Sequence, residues 1–280
     1  MSIFFCGIVL TALSWISAWG NFGIFSEYSF FPLWIGYILS INGTSEILFG
    51  ISLLRRMGCL FLGLFAASIP LWWFFEHINS IVQNWHYLFV RPISDLHYVI
   101  QASIDFATVI PAVLSTSFFF YMLLQAKSVH SNCQPIKIRR SHLFLSLLLG
   151  TTSFLLLPIF PHETFPLVWI APILVLEPFA YALGLPCVLQ LLELGEWKIP
   201  ISIMIGTLFT GFWWELWNFY SLPKWVYTIP YVGFWKIFEM PVLGYLGYPF
   251  FGLVIFSYTA TAFSVVFRGN ISSYFTTGRA

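Results

Sequence analysis

The chain has 280 residues, of which 59% are apolar and 8% are charged. An average soluble domain is about 25% charged, so this composition excludes a soluble globular protein and a disordered chain. The net charge of +1 provides no basic surface for phosphate, which excludes a nucleic-acid-binding protein. The long apolar runs and the mean hydropathy of +0.85 instead indicate an integral membrane protein.

Eight apolar stretches are long enough to cross a bilayer as helices of about 20 residues. Their approximate bounds are 3–20, 30–54, 58–78, 98–124, 142–160, 166–192, 199–219 and 237–266. Membrane-spanning strands are shorter and alternate in polarity, so the stretches predict an all-α integral membrane protein. The first stretch resembles a signal peptide but lacks a basic start, so we expect it to remain as a helix.

Lys and Arg residues are distributed unevenly over the loops between these stretches. Nine of the twelve fall on one side of the predicted bundle, whereas Arg91, Lys224 and Lys236 fall on the other. Cytoplasmic loops carry the excess of Lys and Arg. We therefore expect both termini and the polar linker 126–141 to be cytoplasmic. The protein itself is expected in the plasma (inner) membrane.

The segments on either side of the linker repeat the same ordered motifs. The matched groups are Phe31-Pro32-Leu33 with Phe165-Pro166-Leu167, Glu76-x-x-Asn79 with Glu215-x-x-Asn218, Trp85-x-Tyr87 with Trp225-x-Tyr227, and Asp105 with Glu239. The offset between the halves stays between 134 and 140 residues, and self-similarity at a nearly constant period indicates duplication. We predict two tandem four-helix repeats, 1–125 and 142–280, in the same orientation.

A charge within a membrane span is costly and therefore suggests function, and five of the eleven acidic residues are candidates on this ground. They are Glu76, Asp105, Glu177, Glu215 and Glu239. All except Glu177 gather at one depth, toward the outer leaflet. In both halves an Asn follows the Glu at i+3, on the same helical face. We therefore expect Asn79 and Asn218 to hold the carboxyl groups in position.

Aromatic side chains flank these acids. An apolar cage disfavours the charged form of a carboxyl group, so a caged Glu stays protonated at neutral pH and can act as a general acid. Aromatic faces stabilise a cation by roughly 0.5–2 kcal/mol each, so the combination suits protonation of an alkene. The candidate catalytic residues are Glu215, Glu239, Glu76 and Asp105, and the candidate substrate-binding residues are Asn79, Asn218, Trp85, Tyr87, Trp214, Trp225, Tyr227 and Glu177.

Four motifs follow one another over about 40 residues of the second half. They are Trp214-Glu215-Leu216-Trp217-Asn218, Lys224-Trp225-Val226-Tyr227, Phe238-Glu239-Met240-Pro241 and Tyr248-Pro249-Phe250-Phe251. Together they resemble the carotenoid (lycopene) cyclase domain of bacteria, archaea and fungi, an all-helical membrane unit that occurs duplicated. A weaker match lies over 72–111. The chain also resembles bacterial multi-pass membrane proteins without an assigned activity.

The resemblance implies that Glu215 occupies the place of the family's first acid and Glu239 that of its acid pair. The family has two adjacent carboxylates preceded by Pro, whereas this chain has Glu239 alone, followed by Pro241. The implied activity is proton-driven cyclisation of a long apolar isoprenoid such as a carotenoid or, if the reaction is altered, its hydration. No metal or redox cofactor is required, and the expected partners are an apolar isoprenoid or lipid ligand and the membrane lipids.

Two alternative functions remain open on the sequence. Tandem repeats with midplane polar residues also suit a proton-coupled transporter, with Glu177 and Asn42 at its centre. A non-catalytic subunit that holds a pigment or lipid would need aromatic walls as well. His77 and His86 have no His counterparts in the second half, so we expect no metal site. The sequence leaves the oligomeric state open.

Overall fold

The computed structural model describes residues 2–127 and 134–276, so 128–133 of the predicted linker lie outside the described part. The described chain is mostly helical. The helices are α1 (Ser2–Gly20), α2 (Ile24–Glu27), α3 (Phe30–Phe49), α4 (Leu53–Met57), α5 (Leu62–Val82), α6 (Asp95–Phe106), α7 (Val109–Ala126), α8 (Arg140–Leu156), α9 (Pro161–Thr164), α10 (Leu167–Ala182), α11 (Val188–Glu193), α12 (Lys198–Phe219) and α13 (Gly247–Phe267). Two antiparallel ribbons pair β1 (Trp85–Leu88) with β2 (Lys224–Tyr227) and β3 (Lys236–Ile237) with β4 (Met240–Pro241).

Five helical segments are long and apolar enough to cross a membrane. They are Ser2–Gly20, Leu53–Val82, Asp95–Ala126, Lys198–Phe219 and Val242–Phe267. The helix α10 is apolar but shorter, with 16 residues. On α1, the large side chains of Phe5, Val9, Leu13 and Ile16 are 57–62% exposed. A lipid environment accounts for this surface, because such a continuous apolar face is rare on a soluble protein.

Four predicted stretches are interrupted. The stretch 30–54 breaks between α3 and α4, where Gly50 has a φ of 75°. The stretch 98–124 breaks between α6 and α7, and 166–192 breaks after α10, where Gly184 has a φ of 68°. The stretch 237–266 begins ten residues before α13, so that Glu239 lies in the turn of the β3–β4 ribbon rather than at a helix start. The ring of Pro241 removes a backbone N–H and favours an extended residue before it, which delays the helix.

Helices of the two predicted halves pack against one another. Within the first half α1 packs on α3 and α3 on α7, and the second half has the equivalent contacts of α8 with α10 and of α10 with α13. Between the halves, α7 lies along α12 and α5 contacts α13. The two halves therefore share one core, in which Phe75, Phe118 and Phe256 are fully buried.

Two tryptophans cross between the halves in equivalent ways. The ring of Trp34 on α3 lies 5.2 Å from that of Trp214 on α12. The ring of Trp169 on α10 lies 5.4 Å from that of Phe75 on α5, in a stacked arrangement. Trp214 and Phe75 each precede the Glu of the repeated motif by one residue, so these contacts position both glutamates.

Candidate functional site

The β1–β2 ribbon joins the two segments that carry the repeated Trp-x-Tyr motif. Trp85 lies opposite Tyr227, and Tyr87 lies opposite Trp225. Since side chains alternate between the faces of a strand, the four aromatic residues share one face. All four line the same cavity, whereas the intervening His86 is exposed and hydrogen-bonds to a threonine.

An asparagine at the end of each preceding helix holds this ribbon in place. Asn79 Oδ1 accepts from the backbone N–H of Asn84 at 2.9 Å, and Asn79 Nδ2 donates to the carbonyl of Trp85 at 2.8 Å. Asn218 accepts from the N–H of Trp225 at 2.8 Å and donates to its carbonyl at 2.7 Å. We expected both amides to contact the carboxyl groups. They instead bind the backbone at the start of each Trp-x-Tyr strand.

Glu76 accepts three hydrogen bonds at one oxygen. Its Oε1 atom accepts from Trp72 Nε1 at 3.0 Å, from Trp85 Nε1 at 3.0 Å and from Tyr87 Oη at 2.6 Å. Trp72 belongs to the same helix, one turn before Glu76, and the other two donors belong to the ribbon. The ribbon and α5 therefore meet at this carboxyl group.

Glu215 has a matching set of donors but is more deeply enclosed. Its Oε1 atom accepts from Tyr227 Oη at 2.6 Å, from Tyr248 Oη at 2.8 Å and, more weakly, from Trp225 Nε1 at 3.4 Å. Its Oε2 atom is buried and has no hydrogen-bond partner among the described residues. Glu215 is fully buried (0% exposed), and in the described residues neither it nor Glu76 forms an ion pair.

One cavity lies in front of these two carboxyl groups. It has about 1150 Å³ of empty space including its opening. The side chains that donate to the glutamates form part of its wall, namely Trp72, Trp85, Tyr87, Trp225, Tyr227 and Tyr248. The rings of Trp169, Trp214 and Phe251 form another part. Glu76 and Glu215 themselves lie behind this wall, so a ligand would meet indole and phenol groups first.

The two tyrosines of the ribbon remain neutral at physiological pH. Burial raises the pKa of Tyr87 well above its usual value, and the adjacent carboxyl group of Glu76 adds to the effect. Burial and the neighbouring Glu215 act on the pKa of Tyr227 in the same direction. Both phenols therefore keep the proton that they donate to the glutamates.

Asp105 and Glu239 differ from the two motif glutamates. Asp105, near the end of α6, lines the cavity directly. Glu239 forms an ion pair with Lys224, whose ammonium group also donates to the carbonyl of Phe219 at 3.1 Å. Lys224 lines the cavity and Glu239 does not, so Glu239 is connected to the site through its cation.

Glu177 lies outside this site and caps a short helix. Its Oε1 atom accepts from the backbone N–H of Val188 at 3.0 Å and from the hydroxyl of Ser257, and its Oε2 atom accepts from the N–H of Leu189 at 2.8 Å. These backbone groups belong to the first turn of α11. The carboxyl group therefore satisfies N–H groups that have no partner within their helix.

Asn42 has the equivalent role in the first half. Its Oδ1 atom accepts from the backbone N–H of Leu54, in the first turn of α4, at 2.9 Å. Its Nδ2 atom donates to Ser115 Oγ at 2.9 Å. Asn42 is buried and, like Glu177, does not line the cavity.

Three side chains that donate to the acids were not among the sequence candidates. Trp72 stands four residues before Glu76, and this i, i+4 spacing could have identified it. Lys224 precedes the repeated Trp, but no spacing rule pairs it with Glu239. Tyr248 belongs to α13, far along the chain from Glu215, and local sequence carries no signal for their contact.

Within 2–127 and 134–276, no three His, Cys, Asp or Glu residues come together in a way that could hold a metal ion. The chain matches no family model, no curated protein and no solved structure.

Proposed function

We propose that this protein is a membrane enzyme that protonates a long apolar isoprenoid, such as a carotenoid, and so drives its cyclisation or hydration. One observation carries the proposal. Phenol and indole groups from both predicted halves line one aromatic cavity, and they are hydrogen-bonded to the partly buried Glu76 and the fully buried Glu215. An apolar ligand fits this wall, and proton donors stand within reach of it.

The chemistry follows from the surroundings of the two acids. In the described residues no cation pairs with Glu215, and a fully buried charge without a counter-ion is costly even where neutral groups donate to it. The resting acid therefore holds a proton. Transfer of that proton to an alkene leaves a carbocation, which the faces of rings such as Trp214 and Trp169 stabilise. Loss of a proton after ring closure, or addition of water, restores the acid without any cofactor.

We further infer that the chain crosses the membrane eight times, as two tandem four-helix repeats. Beyond the five candidate spans, the crossings would be α3, α8 and α10. The equivalent helix contacts of the two halves support this inference, as do the equivalent hydrogen bonds of Asn79 and Asn218. Asn42 and Glu177 add a third matched pair, because each caps a short helix that follows its own.

The excess of Lys and Arg on one side supports cytoplasmic termini in the plasma membrane. After the four native cysteines are replaced by Ser, single cysteines introduced near either terminus can be labelled before and after the membrane is opened. We expect these cysteines to be labelled only after the membrane has been opened. Labelling of intact cells would overturn this orientation.

A proton-coupled transporter receives less support. Its proposed centre, Glu177 with Asn42, is occupied by backbone N–H groups that both residues cap. Side chains engaged in this way have little freedom to bind and release a proton during transport.

The proposal is tested by expression in cells that accumulate an acyclic carotenoid, followed by analysis of the pigments. The wild-type chain is expected to form a cyclised or hydrated product, and Glu215→Gln is expected to lose it. Glu163→Gln is the matched control, because Glu163 is exposed and does not line the cavity, and it should retain the product. Unchanged pigments with folded wild-type protein would overturn the proposed activity. Copurification of unaltered pigment in that case would identify a pigment holder.

A further inference from the structure

The two glutamates differ in the groups that donate to them, and the difference begins at one position. Trp72 stands four residues before Glu76, and its indole N–H reaches that carboxyl group. The residue four before Glu215 is Gly211. A Cβ atom on Gly211 would lie 2.6 Å from the ring of Tyr248. The missing side chain therefore provides the space in which Tyr248, from α13, approaches Glu215.

The replacement of an indole donor, Trp72 at Glu76, by a phenol donor, Tyr248 at Glu215, changes the chemistry of the groups that donate to the carboxyl group. Two indoles and one phenol surround Glu76, whereas two phenols and one distant indole surround Glu215. An indole N–H only donates, whereas a phenol oxygen both donates and accepts. A proton relay needs a group that accepts one proton as it gives up another. Glu76 has one such phenol, Tyr87, whereas Glu215 has two, Tyr227 and Tyr248.

The two phenols at Glu215 are not equally free. Tyr227 Oη donates to Glu215 and accepts from Trp225 Nε1 at 2.9 Å. Among the described residues, Tyr248 Oη has a single hydrogen bond, which is to Glu215. Tyr248 also lines the cavity. Its hydroxyl group can therefore turn toward a ligand while its oxygen stays in contact with the acid.

We propose that the two carboxyl sites are unequal, with Tyr248 as the catalytic residue that delivers the proton of Glu215 to the ligand and with Glu76 as a positioning residue. This inference rests on the proposed function. The hydroxyl proton of Tyr248 moves to an alkene carbon, and the π electron pair forms the new C–H bond. The neighbouring carbon becomes cationic, while the carboxyl proton of Glu215 passes to the Tyr248 oxygen.

The cycle closes at the same residues. After proton transfer Glu215 is an anion close to the carbocation. When the cation loses a proton after ring closure, or binds water that then loses a proton, that proton returns to the carboxylate. Protons therefore balance, and no oxidant or reductant is needed. Glu76 keeps its three donors throughout and holds Trp85 and Tyr87 in the cavity wall.

The experiment compares Tyr248→Phe with Tyr87→Phe, the matched variant of the other half. General acid catalysis contributes about 10²–10⁴-fold to a rate, so Tyr248→Phe is expected to lower product formation by at least about 100-fold. Tyr87→Phe should lower it by less than about 10-fold. Both rates are divided by the amount of folded protein, measured by size-exclusion chromatography in detergent. Retention of the acyclic pigment by purified Tyr248→Phe would show that binding survives and that the chemical step is lost.

The outcomes separate this inference from the proposed function. Product from the wild-type chain with equal rates for the two variants, or with the larger loss in Tyr87→Phe, would overturn the inequality and leave the activity standing. If Tyr248→Phe does not fold, Glu76→Gln and Glu215→Gln provide the second comparison. The inequality then predicts the larger loss for Glu215→Gln, and an equal loss would overturn it. A wild-type chain without product would overturn the proposed function itself.

Discussion

Trp85 and Tyr227 face each other across the β1–β2 ribbon, yet they donate hydrogen bonds to different glutamates. Trp85 Nε1 lies 3.0 Å from Glu76 Oε1, and Tyr227 Oη lies 2.6 Å from Glu215 Oε1. The neighbouring pair of the ribbon repeats this arrangement with the residue types exchanged, because Tyr87 donates to Glu76 and Trp225 donates to Glu215. A shift of the ribbon by one residue would move all four donors at once, so the two carboxyl sites depend on a single register.

The asparagines that anchor the ribbon should be important for stability. Replacement of Asn218 by Ala removes the partners of both the N–H and the carbonyl of Trp225. Buried backbone groups without partners cost roughly 1–3 kcal/mol. We expect Asn218→Ala and Asn79→Ala to lower the free energy of unfolding in detergent by that amount. Ser80→Ala, at an exposed neighbouring position, serves as the control, and equal stability of all three variants would contradict the anchoring role.

Glu177 should act as a structural cap. In Glu177→Ala the N–H groups of Val188 and Leu189 lose their acceptor, so the first turn of α11 loses its cap. We expect a loss of about 1–2 kcal/mol, as for other helix caps, in thermal or denaturant unfolding. Glu163→Ala changes an exposed carboxylate and should unfold like the wild-type chain. If Glu177→Ala is as stable as this control, the cap contributes nothing.

The buried tyrosines of the ribbon predict a loss of stability at high pH. The pKa of Tyr87 and that of Tyr227 are raised well above their usual values by burial. In the unfolded chain a tyrosine ionises near pH 10, whereas the folded protein keeps these protons. Their stabilisation is therefore complete below about pH 10 and is lost as the pH rises further.

The measurement is the free energy of unfolding as a function of pH. Above about pH 10 the decline should be less steep in Tyr87→Phe than in the wild-type chain. Tyr231 is 70% exposed, and Tyr231→Phe should leave the slope unchanged. A slope of Tyr87→Phe identical to that of the wild-type chain would show that this phenol ionises as readily in the folded protein as in the unfolded one.

The contact between α1 and α3 depends on three glycines, Gly7, Gly36 and Gly43. A Cβ atom on Gly36 would lie 2.5 Å from the backbone nitrogen of Thr11, and one on Gly7 would lie 2.5 Å from that of Ser40. Because backbone cannot move aside as a side chain can, we expect Gly36→Ala to cost about 1–3 kcal/mol in detergent. At Gly63 the nearest atom is the end of the Phe263 ring, at 3.2 Å, so Gly63→Ala should be nearly neutral. Similar stabilities of the two variants would contradict close packing of α1 on α3.

Amino-acid order alone was sufficient for the membrane class of the protein and for part of the site. Long apolar runs with few charges predict membrane helices wherever they occur, because the length of a span depends only on the thickness of the bilayer. The repeated Trp-x-Tyr motif identified Trp85, Tyr87, Trp225 and Tyr227, which all line the cavity. The structure adds that both motifs lie on paired strands, whose alternation puts the four aromatic side chains on one face; the all-α prediction contained no such strands.

The contacts of Asn79 and of Tyr248 followed only from the packing of the helices. Spacing along one helix suggested that Asn79 would contact Glu76, but the amide reaches a backbone that returns after the helix has ended. No spacing rule brings Tyr248 to Glu215, since they lie on different helices and meet because Gly211 has no side chain. Contacts within one helix follow from its period of 3.6 residues. Contacts between helices depend on how closely two backbones approach, and every side chain of the interface contributes to that distance.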